Sequence, residues 1–370
     1  MMPARVPSEM AGALLVLLLV LLVAAAVSAP TPIPFVLVSD LDRASRSQDG
    51  GRPVWRAWLQ HGELLAVDDD VTQPRYTVRL GREEELLSQH SYRERGMELS
   101  DLVQFGADLW SVCDSTGLLY RLRGVGDKRG PTALPQRVLL DDDGNSSMPC
   151  KSEWMAVKDG ALYIGGHGKE WVEAGVVRGR GSEWVRVLDP SGSLRYEDWH
   201  DRYGKLRAAT NTSFPGYLSH EGVDWDAQQR RWIIVPRKAQ VASAGGGYDD
   251  SADETRGTNL LLSVSEDFST INISTLGALE SAWGASGIRL LPAAGACPAA
   301  AVSARHVLVV RSSEHGVHCS SSVGVFSVED GQSLLVAGTD RGSPQTGDGE
   351  AVWVPVGSRK YEGVSWLPLT

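Results

Sequence analysis

Five oxygen-bearing residues stand directly before five short apolar segments, and their spacing constrains the fold more than any other feature of the sequence. The residues are Ser100, Glu153, Glu221, Ser286 and Glu362, at intervals of 53, 68, 65 and 76 residues. Each is followed by a strand-like segment and a turn, as in a degenerate repeat of one β-unit. Such repeats favour a propeller, in which similar sheets stack around a channel.

The rest of the chain agrees with an all-β fold. Forty glycines separate short segments of β-branched and aromatic residues, a pattern typical of sandwiches, barrels and propellers. One helix is predicted, at residues 196–210, and polar loops are predicted at 68–76, 123–137 and 240–257. Residues 30–370 contain no linker and are predicted to form one domain. The predicted strands are 35–42, 101–105, 118–122, 154–166, 184–188, 230–237, 259–265 and 305–313.

One oxygen-bearing residue at the same position of every innermost strand would form a ring on the propeller axis. Its three carboxylates would repel one another unless a cation lay among them. Oxygen ligands without His or Cys indicate a hard ion, and a wide, irregular ring favours calcium over magnesium. The alternative is that the repeats reflect only turn chemistry.

The N-terminal segment predicts entry into the secretory pathway. Residues 11–27 are apolar and precede the small residues Ser28 and Ala29, so residues 1–29 are either a cleaved signal peptide or an uncleaved membrane anchor. Glycosylation sequons at Asn145, Asn211 and Asn272 agree with a lumenal location. The formal net charge of −10 argues against nucleic acid as a partner.

Four cysteines in an oxidising lumen allow three disulfide connectivities. The pairing closest in sequence joins Cys113 to Cys150 and Cys297 to Cys319. No Cys/His spacing indicates zinc.

Several long motifs resemble the soluble calcium-activated nucleotidases, the apyrases of the vertebrate endoplasmic reticulum and Golgi and of arthropod saliva. The resemblance extends from residue 35 to residue 366. It implies a five-bladed β-propeller with calcium in its central tunnel, and it places the calcium ligands on the same five residues. The motifs are SDLD (39–42), RGMELSDL (95–102), KSEWMAVKDGALYIGGHGKEW (151–171), RWIIVPRKA (231–239), TNLLLS (258–263) and KYEGVSW (360–366).

The resemblance implies hydrolysis of nucleoside diphosphates such as UDP, GDP and ADP, and of some triphosphates, to the monophosphate. Water would attack the terminal phosphate of a calcium-bound substrate. A carboxylate must then orient or deprotonate that water. Asp114 is the first candidate, because the family motif is retained there, and the others are Asp40, Asp42 and Asp101.

Phosphate contacts are expected from Arg95, Lys169 and Arg237, with Glu98 included in the substrate site. For each of these three cationic side chains, the alternative to a phosphate contact is a surface ion pair. Trp171 is expected to stack on the base, and its alternative is a core tryptophan between blades.

Two positions depart from the family pattern. The segment Cys113–Gly117 reads CDSTG where the family often has DDRTG, so an acid and an Arg are absent and the nucleotide preference is open. The resemblance suggests that Cys113 replaces the acidic residue of the family and forms a disulfide instead. His167 replaces an apolar residue of the family motif, and a solvated loop histidine is the simpler interpretation.

Two other functions remain open from the sequence: a calcium-stabilised binding propeller without catalysis, and a different metal hydrolase on a propeller. The expected location is the lumen of the endoplasmic reticulum or Golgi, with secretion after cleavage. Membrane contact is expected only through an uncleaved N-terminal segment, and a homodimer is one oligomeric state left open.

Overall fold

The computed structural model describes residues 32–67, 74–242, 247–292, 306–316, 318–336 and 353–368. The predicted signal or anchor segment, residues 1–29, lies outside the described residues. Over the described ranges, no helix combines the length and the apolar character needed to cross a membrane.

Five antiparallel sheets account for nearly all the secondary structure, and each is a blade whose strands are close in sequence, except that blade 1 also contains β23. Blade 1 contains β1 (Ile33–Ser39), β2 (Arg46–Asp49), β3 (Arg52–Ala66), β4 (Tyr76–Ser88) and the last strand, β23 (Tyr361–Trp366); blade 2 contains β5 (Leu99–Phe105), β6 (Asp108–Cys113), β7 (Leu118–Arg123) and β8 (Thr132–Val138); blade 3 contains β9 (Trp154–Lys158), β10 (Ala161–Gly165), β13 (Trp184–Leu188) and β14 (Leu194–Asp198), with a separate hairpin of β11 (Trp171–Glu173) and β12 (Val176–Gly179); blade 4 contains β15 (Tyr217–Asp226), β16 (Arg231–Gln240), β17 (Leu260–Ser265) and β18 (Ile271–Thr275); blade 5 contains β19 (Gly284–Leu290), β20 (His306–His315), β21 (His318–Ser327) and β22 (Val354–Gly357).

The innermost strands of the blades touch one another in a closed ring. β5 contacts β9 and β23, β15 contacts β9 and β19, and β19 contacts β23. The ring is closed by the pairing of β1 with β23, in which Val36 lies opposite Ser365. The predicted five-bladed β-propeller is therefore confirmed.

Four of the five predicted metal positions lie where the innermost strand of a blade departs from regular pairing. The pairing register shifts at Ser100 in β5, at Glu221 in β15, at Ser286 in β19 and at Glu362 in β23. Glu153 lies immediately before β9, and its N–H donates to the carbonyl of Gly165. Because a bulged residue is left out of the ladder, its side chain can be aimed away from the pleat.

The blades pack through apolar residues that alternate along the strands. The cluster between blades 3 and 4 is aromatic and contains Trp154, Trp225 and Trp232. Helix α1 (His200–Ala209) covers this cluster through Tyr203 and Leu206. The predicted helix at 196–210 was therefore too long, because residues 196–198 belong to β14. The loop predicted at 123–137 was also too long, since it includes most of β8.

The predicted disulfide between Cys113 and Cys150 is wrong, because both residues are free, buried thiols. Cys113 packs with the side chains between blades 1 and 2, and Cys150 packs with those between blades 2 and 3. Burial raises the pKa of Cys113 to about 11, which keeps the thiol protonated and unreactive. Cys319 is a free thiol as well, and the partner predicted for it, Cys297, lies outside the described residues.

Candidate active site

A charged cavity of about 270 Å³ opens where the ends of the innermost strands meet. Eight carboxylates and six Lys or Arg side chains line it, so its charges nearly balance. The lining residues are Asp40, Asp42, Arg95, Asp114, Lys151, Glu153, His167, Lys169, Ser219, Glu221, Arg237, Lys238, Asp253, Glu314, Lys360 and Glu362.

The cavity brings together three of the five predicted metal ligands, Glu153, Glu221 and Glu362. All three are buried. Buried carboxylates are costly unless cations or hydrogen-bond donors surround them. Three cationic side chains, one near each glutamate, meet this requirement.

Lys151 bridges Glu153 and Asp114. Its ammonium group lies 2.8 Å from Oδ2 of Asp114 and also contacts Oε1 of Glu153. The Asp114 Oδ1 atom is buried and has no hydrogen-bond partner. Burial raises the pKa of Asp114 to about 7, with further contributions from Asp40 and Glu153, although Lys151 opposes the shift. Such a carboxylate can exchange a proton near neutral pH.

Arg237 connects three carboxylates of the cavity. Its Nη1 lies 2.8 Å from Oε2 of Glu221 and 3.4 Å from Oε1 of Glu362, and its Nη2 lies 2.6 Å from Oε1 of Glu314. Burial acts to raise the pKa of Glu221, but Arg237, His167 and Lys238 together outweigh it and hold that pKa well below the usual range.

Lys360 neutralises the acids contributed by blade 1. Its Nζ lies 3.0 Å from Oδ2 of Asp40, 3.1 Å from Oδ2 of Asp42 and 3.4 Å from Oε1 of Glu362. Burial alone would raise the pKa of Asp40, but Lys360 keeps it below its ordinary value. Burial, together with Asp40 and Glu221, raises the pKa of Glu362 well above its ordinary value. The surroundings therefore shift the pKa values of Asp40 and Glu362 in opposite directions.

The two predicted serine ligands are not among the residues that line the cavity. Ser286 Oγ donates to the carbonyl of Tyr361 at 3.0 Å. Ser100 Oγ is buried and has no hydrogen-bond partner. A buried hydroxyl without a partner is rare in native proteins and calls for a ligand or a water. The three glutamates that line the cavity supply carboxylate oxygens, which are ligands that a hard divalent cation prefers.

Arg95 lines the cavity, and Glu98 holds it in place. Arg95 Nε lies 3.0 Å from Oε1 of Glu98, and its Nη2 contacts the other oxygen of that carboxylate. Glu98 is fully buried and does not line the cavity. The predicted substrate contact at Glu98 is therefore a support for Arg95 in this structure.

Asp101, predicted as a catalytic candidate, is turned into the protein. Its carboxylate accepts hydrogen bonds from the backbone N–H groups of Leu102 (2.7 Å) and Met155 (2.6 Å). Arg289 Nη2 lies 3.0 Å from both of its oxygens. This buried ion pair joins the innermost strands of blades 2, 3 and 5, and the structure places it outside the cavity lining.

Lys169 lies at the edge of the cavity near an aromatic group. Its Nζ is 4.4 Å from the ring centroid of Tyr217 and 3.3 Å from Oδ2 of Asp253. Trp171 is 71% exposed on the hairpin and does not line the cavity. The alternative of a core tryptophan at this position is wrong, and its stacking on a base stays a prediction.

His167 is not a solvated loop residue. Its Nε2 lies 3.2 Å from Oε1 of Glu153 and 3.3 Å from Oε1 of Glu221. The simpler interpretation drawn from the sequence is therefore wrong, because the loop after β10 turns this ring towards the glutamates.

Six further lining residues were not selected from the sequence: Lys151, Ser219, Lys238, Asp253, Glu314 and Lys360. A signal for three of them exists, because Lys151, Ser219 and Lys360 stand two residues before Glu153, Glu221 and Glu362. In extended backbone, residues two apart point to the same side. The other three come from β16, β20 and the 247–257 segment, where no repeated spacing indicates them.

The family model described as Apyrase matches residues 41–367, which is most of the chain. The chain belongs to the apyrase family. It is 34% identical over 333 residues to "Soluble calcium-activated nucleotidase 1" of Rattus norvegicus, covering 90% of this chain and 73% of the relative.

Two invertebrate relatives match shorter parts of this apyrase-family chain. "Apyrase" of Cimex lectularius is 33% identical over 69% of this chain and 68% of its own length. "Apyrase apy-1" of Caenorhabditis elegans is 34% identical over 65% of this chain and 64% of its own length. The solved structure of Citrobacter koseri AztD covers 92% of the chain and 99% of its own at 8% identity, with a TM-score of 0.31, a likeness too weak to inform the function.

Proposed function

We propose that this chain hydrolyses nucleoside diphosphates, and some triphosphates, to monophosphate and phosphate in a calcium-dependent reaction. Membership of the apyrase family supports a nucleotide-hydrolysing enzyme. The observation that carries the finer proposal is the convergence of Glu153, Glu221 and Glu362, each buried and each from a different blade, in one charged cavity.

The metal would be held by these three glutamates, with Ser100 and Ser286 as the further ligands implied by the repeat. Bound calcium would supply charge neutralisation at the phosphate oxygens and a fixed position for the substrate. The donor set is rich in oxygen and contains one orphaned hydroxyl, which suits calcium better than a metal that prefers nitrogen or sulfur.

The cationic side chains of the cavity would bind the diphosphate. Arg95 presents a planar guanidinium that is fixed by Glu98 and remains 32% exposed, so its free edge can donate to phosphate oxygens. Lys169, which follows β10 of blade 3, and Arg237, on β16 of blade 4, also line the cavity. Cations from several blades would orient the terminal phosphate and stabilise the charge that develops during transfer.

Asp114 would accept the proton of the attacking water. Its pKa of about 7 and its unpartnered Oδ1 suit this role better than Asp40, whose pKa is lowered by Lys360. Asp42 is half exposed and bound to Lys360, which places it at the cavity entrance.

The decisive test measures phosphate release from UDP, GDP and ADP in calcium, in magnesium and in EDTA. We expect turnover in calcium, none in EDTA, and incomplete recovery in magnesium, because magnesium demands near-octahedral geometry that this irregular donor set does not offer. Equal turnover in magnesium alone would contradict calcium dependence. Calcium binding without phosphate release from any nucleotide would favour the binding-propeller alternative.

The Ser100→Ala and Arg95→Ala variants are both expected to lose activity, but they should differ in how far added calcium restores it. Ser100→Ala removes one neutral oxygen from the metal, so excess calcium should restore part of the activity. Arg95→Ala removes a charged contact to phosphate, worth roughly 1.5–3 kcal/mol, and calcium should not restore it. Kinetics of both variants across a calcium titration measure the difference. Arg95→Lys is the control, because it keeps the positive charge but lacks the planar guanidinium. Equal rescue of both variants by calcium would show that Arg95 only supports the metal site.

We also propose a lumenal or secreted location. The sequon residues Asn145, Asn211 and Asn272 are all exposed, so the structure leaves them accessible to glycosylation. Protein produced in mammalian cells should gain electrophoretic mobility after glycosidase treatment, and substituting all three Asn by Gln should abolish that change. Unchanged mobility of the wild-type protein would argue against this location.

A further inference from the structure

His167 is fixed between two of the proposed metal-binding glutamates. Its Nε2 and one carboxylate oxygen each of Glu153 and Glu221 all lie within 4.8 Å of one another. Opposite ligands of a first-row divalent ion are about 4 Å apart, given bond lengths near 2.1 Å. The three atoms can therefore converge on one ion with only small side-chain movements.

The backbone around His167 keeps the ring in this place. Its carbonyl accepts the N–H of His220 at 2.9 Å. The next residue, Gly168, has φ +68°, and a Cβ there would lie 2.3 Å from the ring of Tyr203. Only glycine fits this position, so the tight turn after His167 is built into the fold. The imidazole is 21% exposed, which leaves it reachable from the cavity but not mobile in solvent.

An imidazole changes which metals such a site prefers. Carboxylate and hydroxyl oxygens suit calcium and magnesium, whereas imidazole nitrogen suits first-row transition ions. Two carboxylates and one imidazole on the same ion form a mixed nitrogen–oxygen set. A nitrogen ligand adds little for calcium, which takes oxygen ligands.

We propose that His167 is a metal ligand together with Glu153 and Glu221, and that this chain binds first-row divalent transition ions such as Mn²⁺ or Zn²⁺ at its cavity. This inference rests on the proposed metal site. It goes beyond calcium dependence, because it assigns a nitrogen ligand and a second class of cofactor to the same cavity.

The test uses Mn²⁺ as the probe on the full-length protein. Pulsed EPR of the Mn²⁺ complex should show modulation from a coordinated ¹⁴N nucleus. His167→Leu, which removes both ring nitrogens, and His167→Gln, which keeps a hydrogen-bonding group, should both lose this signal. His61→Gln is the matched control, since His61 forms a similar pair with Glu84 at 2.6 Å outside the cavity, and it should keep the signal.

Affinities give a second readout that does not depend on activity. The ratio of Mn²⁺ to Ca²⁺ affinity, measured by titration calorimetry, should fall about 10-fold or more in His167→Leu, with calcium affinity little changed. A ratio equal to that of the wild type, or a wild-type Mn²⁺ complex without ¹⁴N modulation, would overturn the inference. If the inference fails in this way but the wild-type protein still binds calcium, the proposed function is unaffected. If the wild-type protein binds no divalent ion at all, both the inference and the proposed metal site are wrong.

Discussion

Replacing Glu362 by Gln is expected to lower calcium-dependent phosphate release about 100-fold, without lowering the melting temperature measured in EDTA. Burial, Asp40 and Glu221 raise the pKa of Glu362 well above its ordinary value, so the surroundings favour the neutral form of this group in the metal-free protein. Gln is close in shape to a protonated Glu. The substitution therefore removes little from the metal-free protein, and it removes one charged ligand from the calcium-loaded protein.

The same variant should respond weakly to calcium. A ligand that binds only the folded state stabilises it by about 2.7 kcal/mol at 100 times its dissociation constant. Wild-type protein should therefore melt at a higher temperature in calcium than in EDTA, and Glu362→Gln should show a much smaller increase. Differential scanning calorimetry in both conditions measures this.

Glu314→Gln is the matched control for that experiment. Glu314 also contacts Arg237, at 2.6 Å, and Lys360, at 3.7 Å, but it is not one of the repeated positions. Its calcium-induced increase in melting temperature should persist. If Glu362→Gln retains the full increase, Glu362 does not bind calcium.

The second large effect concerns the ion pair between Asp101 and Arg289. Replacing Asp101 by Asn should lower the free energy of unfolding by about 3–5 kcal/mol, because it leaves a buried guanidinium without its counterion. Arg289→Met should cost less. Burial already raises the pKa of Asp101 to about 6, so in Arg289→Met the carboxyl group left without its partner can take up a proton. In Asp101→Asn, the guanidinium of Arg289 cannot lose one.

Urea denaturation at pH 7 of both variants would measure this asymmetry. Arg230→Ala is the control, since Arg230 pairs with Asp159 and Glu266 on the surface, where such pairs contribute about 0–1 kcal/mol. A smaller loss for Asp101→Asn than for Arg289→Met would show that the guanidinium is adequately solvated or paired without Asp101.

The repeated spacing predicted the fold because an oxygen-bearing residue followed by an apolar segment recurs at the innermost strand of every blade. The residue marks a bulge in four blades, including β5 and β19, where it is serine, and Glu153 stands immediately before β9 in blade 3. The spacing could not distinguish the glutamates, which line the cavity, from the serines, which do not. That difference depends on how far each side chain reaches.

Other features depend on contacts that no local pattern encodes. Asp101 follows Ser100 and was selected as a catalytic candidate, yet side chains of adjacent residues in a strand point to opposite faces. Its partner, Arg289, lies far away in the sequence. His167 was misjudged because the turn at Gly168, rather than its own sequence neighbours, directs it into the cavity. The disulfide between Cys113 and Cys150 was predicted from their proximity in sequence, although the two side chains pack in different clusters.

Closure of the ring by β23 has a consequence for biosynthesis. β23 is made after the other strands of all five blades, supplies the inner edge of blade 1 and carries Glu362, with Lys360 directly before it. Four blades can form while the chain is still being made, but the cavity lacks one wall until translation has passed Trp366. A chain that ends before residue 361 would therefore keep the pairing of β1 with β3, but it would leave the other edge of β1 unpaired, the ring open and the cavity without Glu362. Such a product would present an exposed strand edge to the quality-control machinery of the cell.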